Sequence, residues 1–288
     1  MRIEEIESDV LMFVGDAYES VAAAFLCDGD ALLVDTLASR TDAEWMRRCL
    51  VEEMGKTVRT IIATHYMNDH MAGLRLYPKA RIIAQSHFRY TFESQRGRSA
   101  QDDEYYVDPT CVLSDTLSIQ WGRHALQLFH NPGKTMCSIN IDVPSCDAAF
   151  AGDNIVGNIV YLSRSSPEMI DRAISRLQAL QRGRVIGGHM GMFDRATLSR
   201  ARLYLRRLRE VTVDIYRSSP SRLDSHAIRS IAIESCLAPG IVACAFEREW
   251  HGRNLEVMLE QDTFRLDAIH AMRDSSTNAV EGRGMQVR

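Results

Sequence analysis

The chain has 288 residues, of which 45% are hydrophobic and 25% are charged, and its formal net charge is −4. This composition is typical of a globular protein that is long enough for one large α/β core and a smaller addition. The acidic balance gives no sequence-wide basic surface, so neither nucleic acid nor an anionic membrane is indicated as a partner, and we expect a small-molecule substrate.

The N-terminal residues are acidic and contain no basic segment followed by an apolar one, and no later run approaches the ~18 apolar residues of a membrane span. The seven cysteines are scattered and form no CxxC pair, which argues against a disulfide framework and against a structural zinc knot. We therefore expect a cytoplasmic protein with reduced thiols.

The first third of the chain alternates predicted strands with one helix. Residues 21–36 contain two apolar runs separated by an Asp-Gly-Asp turn, which predicts a β-hairpin in an antiparallel sheet. Residues 42–54 predict a helix capped by Thr41 or Asp42, and the β-branched run at 58–63 predicts a buried strand.

The middle of the chain builds a second set of strands. Residues 80–84 predict another strand, and the polar, aromatic stretch 86–110 predicts a helix with a long loop. Further short strands are predicted at 111–113, 117–120, 124–130, 138–143 and 147–151. The repetition of short strands indicates a second sheet.

Helices dominate the rest of the chain. Pro167 predicts the start of a helix over 168–180, and a short strand follows at 185–186. Apolar residues spaced three and four apart then predict helices over 198–215 and 254–269.

This pattern gives a three-part organisation, with an α/β domain at 1–195, a helical region at 196–274 and a disordered tail at 275–288. One face of the first C-terminal helix carries five arginines, at positions 200, 202, 206, 207 and 209. We interpret this face as solvated, in preference to a site for an acidic partner.

Three segments follow one plan, in which a strand and a turn precede a candidate metal ligand. His65, Asp69 and His70 lie within six residues after a strand, Asp153 ends the sequence FAGD, and His189 follows two glycines. Imidazole and carboxylate groups together suit Zn²⁺, Fe²⁺ or Mn²⁺. Glycines before a ligand permit a tight turn and a close approach of the backbone.

In chain order, the motifs THxxxDH, NPGKT, FAGD and GGH resemble the motif set of the metallo-β-lactamase superfamily over about residues 10–195. The resemblance implies an α/β (α+β) protein, an αββα sandwich with a helical C-terminal extension. The family motifs usually read THxHxDH and PGHT, and this chain has Met67 and Lys134 where those histidines are expected.

The family normally builds two adjacent metal sites. The resemblance implies His65, Met67 and Lys134 for the first ion, and Asp69, His70 and His189 for the second, with Asp153 bridging. A thioether is a soft ligand and a protonated lysine cannot coordinate, so the first site should hold no ion. We therefore predict one divalent metal ion, which is zinc, iron or manganese, at the second site.

Lys134 has two interpretations. Its ammonium takes the place of the missing ion, paired with Asp153 or Asp69, and polarises a carbonyl or holds an anionic substrate; alternatively, it bends out to solvent. His130 is a weaker candidate for a replacement ligand. Cys137 has no histidine placed by motif to activate it, so we interpret it as a packed thiol.

The first functional hypothesis is a metal-dependent hydrolase of a small ester, thioester, lactone or amide, with Asp69, Lys134 and His65 as candidate catalytic residues. The aromatic stretch 86–110 and the C-terminal helices would wall its pocket. The second is a mononuclear non-haem iron redox enzyme, because two histidines and a carboxylate also suit iron. The third is a catalytically impaired small-molecule-binding effector, whose C-terminal helices serve a protein partner or a homodimer.

Overall fold

The computed structural model describes residues 1–95, 97–163, 165–218, 225–265 and 267. The strands of these residues are β1 (Arg2–Glu7), β2 (Val10–Val14), β3 (Val21–Cys27), β4 (Asp30–Val34), β5 (Thr57–Ile62), β6 (Arg81–Gln85), β7 (Cys111–Leu113), β8 (Thr116–Trp121), β9 (His124–His130), β10 (Ile139–Val143), β11 (Ala148–Gly152), β12 (Arg184–Gly187) and β13 (Met192–Asp194). The α-helices are α1 (Arg40–Arg47), α2 (Phe88–Glu93), α3 (Ala100–Tyr105), α4 (Pro167–Ala179), α5 (Ala196–Ser218), α6 (Ser225–Arg229), α7 (Ile233–Cys236) and α8 (Ala245–Gln261).

The strands form two sheets. In the first sheet, β1 to β7 lie in chain order, antiparallel as far as β4 and parallel from β4 to β7. In the second sheet the order is β13, β12, β11, β10, β9, β8, and every pair is antiparallel except β11 with β12. The predicted second sheet is confirmed.

The central strands of each sheet are buried on both faces, because helices cover their outer faces and their inner faces pack on each other. In β3, Val21, Ala23 and Phe25 lie in the core between the sheets, whereas Ala22 and Ala24 lie in the core under the helices. This alternation follows from the two-residue period of a strand, and it explains why these strands are apolar throughout. The four layers confirm the αββα sandwich.

The first helix begins earlier than the sequence predicts. Ser39 has an extended backbone and its side chain accepts a hydrogen bond from the Asp42 N–H at 3.1 Å, so the cap is Ser39 and the predicted caps, Thr41 and Asp42, are wrong. Beyond Arg47 the chain continues as a π-helical turn over Arg48–Glu53.

The C-terminal helices pack on the outer face of the second sheet. Residues of β11, α4, α5 and α8 contribute to one hydrophobic core, so the helical region shares its core with the sandwich. The predicted boundary at residue 195 stays a prediction. Helix α4 is confirmed with Ser166 as its cap.

Helix α8 begins well before the predicted position 254. Cys244 and Glu247 form a capping box at its start, and sequence reasoning missed this signal. The helix ends at Gln261, where Asp262 has a left-handed backbone conformation, so the prediction of one unbroken helix to residue 269 is wrong. Leu266, Ile269 and the predicted tail at 275–288 lie outside the described residues. In the described ranges, no helix combines the length and the apolar character that crossing a bilayer requires.

In the first sheet β4 and β5 run in the same direction, and in the second sheet β9, β11 and β12 share one direction. The carboxyl ends of these five strands lie at one edge of the sandwich. Two backbone hydrogen bonds join the sheets at this edge. The Val21 N–H donates to the Gly188 carbonyl and the Ile139 N–H to the Thr64 carbonyl, both at 2.8 Å. The loops after these strands therefore meet.

Candidate metal centre

Four buried side chains, Asp69, His70, Asp153 and His189, each offer one ligand atom, and these atoms lie within 4.8 Å of one another. The Oδ1 atom of Asp153 lies 3.1 Å from His70 Nε2 and 3.5 Å from His189 Nε2. Asp69 Oδ2 lies 3.4 Å from His189 Nε2. The structure thus brings together the four residues that the sequence singles out as ligands.

A glycine makes this close approach possible. A Cβ atom on Gly188 would lie 1.9 Å from Asp153 Oδ1 and 2.9 Å from His70 Cε1, so no other residue fits without moving both side chains. Gly152, directly before Asp153, has a φ of 50°, in the left-handed region that favours glycine. Gly152 therefore permits the backbone conformation of the loop after β11, and Gly188 permits the close approach of the loop after β12.

Asp35, at the end of β4, fixes the orientation of His70. Its carboxylate lies 3.1 Å from His70 Nδ1 and accepts two hydrogen bonds from Thr64, one from the backbone and one from the hydroxyl. A proton on Nδ1 leaves the Nε2 lone pair of His70 facing the cluster. Asp35 also has a φ of 57°, in the left-handed region that few residues other than glycine adopt. Sequence reasoning missed Asp35, although an acidic residue directly after an apolar strand was a usable signal.

The other two histidines are held in the same way. His189 Nδ1 lies 2.8 Å from the carbonyl of Tyr18 and donates to it, so its Nε2 faces Asp69 and Asp153. The hydroxyl proton of Thr64 already goes to Asp35, so His65 Nδ1 donates to this hydroxyl at 2.9 Å.

His65 therefore also turns its Nε2 inward, where it lies 3.3 Å from Asp153 Oδ2. Asp35, His65 and His70 form a second group of candidate ligands. Because the Asp35 carboxylate already accepts from Thr64 and His70, we assign it to orienting His70 and not to holding an ion.

Lys134 is buried and its ammonium donates a hydrogen bond to Asp153 Oδ2. The interpretation that it bends out to solvent is wrong, and the pairing with Asp153 is confirmed. Its ammonium also lies 5.3 Å from the centre of the Tyr161 ring. The backbone N–H of Lys134 donates to Asn154 Oδ1 at 3.0 Å, and this hydrogen bond holds the loop that carries Lys134 in place.

Two other candidates that are close to Lys134 in the sequence, His130 and Cys137, lie outside the ligand cluster. His130 has its Nε2 2.7 Å from the carbonyl of Met136, so its suggested role as a replacement ligand is wrong. Cys137 is buried in the core under the helices, and burial raises the pKa of its thiol. Met67 is half-buried at the start of the Asn68–His70 turn.

The electrostatics of the cluster are dominated by its own charges. Burial disfavours the imidazolium of His70, but the carboxylates of Asp153 and Asp69 outweigh it and hold the pKa of His70 well above its usual value. The same balance raises the pKa of His189 to about 9.

The pKa values of Asp153 and Lys134 are set by the same balance between burial and neighbouring charges. Burial works against the Asp153 carboxylate, but Lys134 and His70 outweigh it and hold the pKa of Asp153 far below its usual value. The pKa of Lys134 is raised despite burial, because Asp153 and Asp69 favour the ammonium. Positive charge at this point is therefore strongly stabilised.

The residues present fit a divalent cation. Asp69 Oδ1, His70 Nε2 and Asp153 Oδ1 are buried and have no hydrogen-bond partner among the described residues. Buried polar atoms without partners are costly, and a cation between them would satisfy all three. Two imidazoles and two carboxylates are a donor set for zinc, iron or manganese.

Aromatic rings border the cluster on one side. Phe246 and Trp250 of α8 lie 5.6 and 6.3 Å from the His189 ring, and Tyr161 lies 4.7 Å from Trp250. We call Tyr161, Phe246 and Trp250 the aromatic wall. The aromatic stretch 86–110 was expected to wall the pocket. Its residues Phe88 and Phe92 are instead buried in the core of the first sheet.

Comparison with known proteins identifies the family. The family model described as the metallo-beta-lactamase superfamily matches residues 19–209. The chain belongs to the metallo-β-lactamase superfamily. A comparison with curated protein sequences found no match.

Solved metallo-β-lactamases have the same fold as this member of the superfamily. A metallo-β-lactamase from Pontibacter korlensis is 17% identical with a TM-score of 0.61, and the match covers 71% of this chain and 98% of that one. The DIM-1 metallo-β-lactamase is 17% identical with a TM-score of 0.58, covering 70% and 94%. An enzyme from Erythrobacter litoralis is 15% identical with a TM-score of 0.56, covering 69% and 93%.

Proposed function

We propose that this member of the superfamily is a metal-dependent hydrolase of a small ester, thioester, lactone or amide that works with a single divalent ion. The ion is held by Asp69, His70, Asp153 and His189. The observation that carries the proposal is the buried pair of Lys134 and Asp153, which puts an ammonium beside a ligand set that is otherwise complete.

An ion held by these four residues supplies Lewis acidity, which lowers the pKa of a water molecule towards neutrality and polarises a substrate carbonyl. The protein residues supply orientation and charge. Asp69 has two carboxylate oxygens, so the oxygen that does not hold the ion can accept a hydrogen bond from the attacking water and orient it.

Lys134 contributes positive charge where the substrate carbonyl develops negative charge. One of its three N–H donors is used by Asp153, and the others are available to an oxyanion. His65 turns an unprotonated Nε2 towards the same space, and burial keeps the pKa of this imidazole below its usual value. It can accept a hydrogen bond from substrate or water.

The proposal is tested on chelator-treated protein reloaded with zinc, manganese or, under argon, ferrous iron. A panel of one simple thioester, ester, lactone and amide is assayed with each metal. We expect hydrolysis of at least one class, and a loss of about 10²-fold or more in the Asp69→Ala variant. The exposed Asp214→Ala variant is the control and should keep full activity. A metal-loaded protein that hydrolyses none of the four would contradict the proposal.

A redox enzyme is the second candidate, and the ligand set itself favours it. Two histidines with carboxylates suit non-haem iron as well as zinc. If the purified protein carries iron and consumes oxygen in the presence of a substrate while hydrolysing nothing, this second function replaces the first. A protein that binds no metal would instead point to a small-molecule-binding effector.

A further inference from the structure

The aromatic wall contains a buried donor without an acceptor. Trp250 is 6% exposed, and its indole N–H has no hydrogen-bond partner among the described residues. An unpaired buried N–H is uncommon in folded proteins, because it loses its hydrogen bond to water and gains none in return. A ligand that brings an acceptor oxygen to this position would remove that cost.

Two other aromatic rings pack against the Trp250 ring beside the metal centre. Phe246 lies 5.6 Å from Trp250 at an interplanar angle of 58°, and Tyr161 lies 4.7 Å from Trp250 at 51°. The Arg253 guanidinium stacks on the Trp250 ring at 4.0 Å. Tyr161 and Phe246 are half-buried, so part of each ring is accessible.

The wall is held rigidly by polar contacts between α8 and the loop that carries Tyr161. Glu247 accepts hydrogen bonds from the backbone and side-chain amides of Asn158, at 2.7 and 2.9 Å. Asn254 donates to the Val160 carbonyl at 2.7 Å and accepts from the Leu162 N–H at 2.8 Å. Residues on both sides of Tyr161 are thus fixed to α8.

Helix α8 lies beyond residue 209, where the family match ends, so Phe246 and Trp250 come from the C-terminal helical region, whereas Tyr161 comes from the matched segment. It nevertheless touches the centre, because Phe246 and Trp250 pack beside the His189 ring. A substrate whose reacting carbonyl lies at the centre would place its next group against these rings.

We propose that Tyr161, Phe246 and Trp250 form a substrate subsite for a flat apolar group that carries a hydrogen-bond acceptor, with the acceptor bound by the Trp250 indole N–H. Flat rings stack on aromatic side chains with favourable geometry, and the single donor fixes the orientation of the bound group. The role of this subsite in substrate choice rests on the proposed hydrolase, whereas its capacity to bind is tested separately.

Binding is measured by isothermal titration calorimetry with benzamide, a neutral aromatic ring that carries a carbonyl. We expect the Trp250→Phe variant, which keeps a ring and loses the N–H, to bind benzamide about five- to tenfold more weakly than the wild type. The matched control is Trp121→Phe, because the Trp121 indole donates to the Phe25 carbonyl at 2.9 Å. Its benzamide affinity should be unchanged. Absence of benzamide binding to the wild type, or equal affinity in Trp250→Phe, would overturn the proposal.

Substrate choice is measured with phenylacetyl and acetyl thioesters of the same small thiol. The wild type should prefer the phenylacetyl compound in kcat/KM, and Phe246→Leu should reduce that preference several-fold, mainly through KM. If neither thioester is hydrolysed but Trp250→Phe still weakens benzamide binding, the hydrolase proposal fails and the subsite stands. If both are hydrolysed with a preference that Phe246→Leu does not change, the role of the subsite in substrate choice fails.

Discussion

The ammonium of Lys134 is hydrogen-bonded to Asp153, and the same carboxylate lies 3.1 Å from His70 and 3.5 Å from His189. One oxygen of Asp153 thus faces the lysine and the other faces the two histidines. This division supports the proposal that the chain holds a single ion, on the side of Asp153 that faces the histidines. The lysine supplies a fixed positive charge on one side of Asp153, and the ligand cluster remains on the other.

Removing the ammonium should destabilise the fold. In chelator-treated protein, we expect Lys134→Met to lower the free energy of unfolding by about 3 kcal/mol, because Asp153 is left buried without its partner. Urea unfolding measures the effect. The exposed Lys79→Met variant should change stability by less than about 0.5 kcal/mol. Equal stability of the two variants would show that the buried pair does not form.

Asp35 should control metal affinity without touching the ion. Replacing it by Asn keeps the shape but weakens the hold on the Nδ1 proton of His70, so we expect metal affinity to fall about 10- to 100-fold. Competition with a chromophoric chelator measures the change. Asp30→Asn, at a surface ion pair with Arg59, serves as control and should bind metal like the wild type. An unchanged affinity in Asp35→Asn would rule out this role.

A methyl group at Gly188 should damage the centre. Because its Cβ would collide with Asp153 and His70, we expect Gly188→Ala to lose most of the bound metal. Gly252→Ala is the matched control, since a Cβ there meets nothing within 4 Å inside α8. It should retain metal and gain about 0.5–1 kcal/mol of stability. Full metal content in Gly188→Ala would contradict the described geometry.

The C-terminal helices should lose stability in mild acid. His251 is buried between the Tyr204 hydroxyl and the Ile231 carbonyl, and burial lowers its pKa. In the unfolded chain the His251 imidazole takes up a proton near pH 6.5, whereas its lowered pKa opposes protonation in the folded protein. The stability that comes from the neutral, buried imidazole is therefore present above pH 6.5 and is lost as the pH falls below it.

The slope should reach at most about 1.4 kcal/mol per pH unit. Chemical unfolding at pH 7.5 and pH 5.5 should show a larger loss for the wild type than for His251→Gln. The exposed His226→Gln variant should behave like the wild type. A pH dependence that is the same in all three proteins would exclude His251 as its source.

Much of the site could be predicted because its ligands follow strands in short motifs. Asp69, His70, Asp153 and His189 were identified in this way, since the carboxyl ends of their strands meet at one edge. The orientation of the Lys134 side chain could not be predicted, because it depends on an ion pair with Asp153 from another loop. Both interpretations of Lys134 satisfied the sequence equally well.

What the sequence did not predict depends on contacts between distant segments. The Tyr18 carbonyl that orients His189 comes from a backbone position without a motif. The rings of Phe246 and Trp250 reach the centre only because α8 folds back over the second sheet. The edge strand β1 was missed because its acidic residues are largely exposed and show no clear apolar alternation.

The central claim is one ion per chain, and metal content tests it most directly. Protein purified without chelator or added metal is examined by elemental analysis beside an Asp69→Ala/His189→Ala variant. The account predicts about one zinc, iron or manganese per wild-type chain and its loss in the double variant. Two ions per chain, or none, would contradict it.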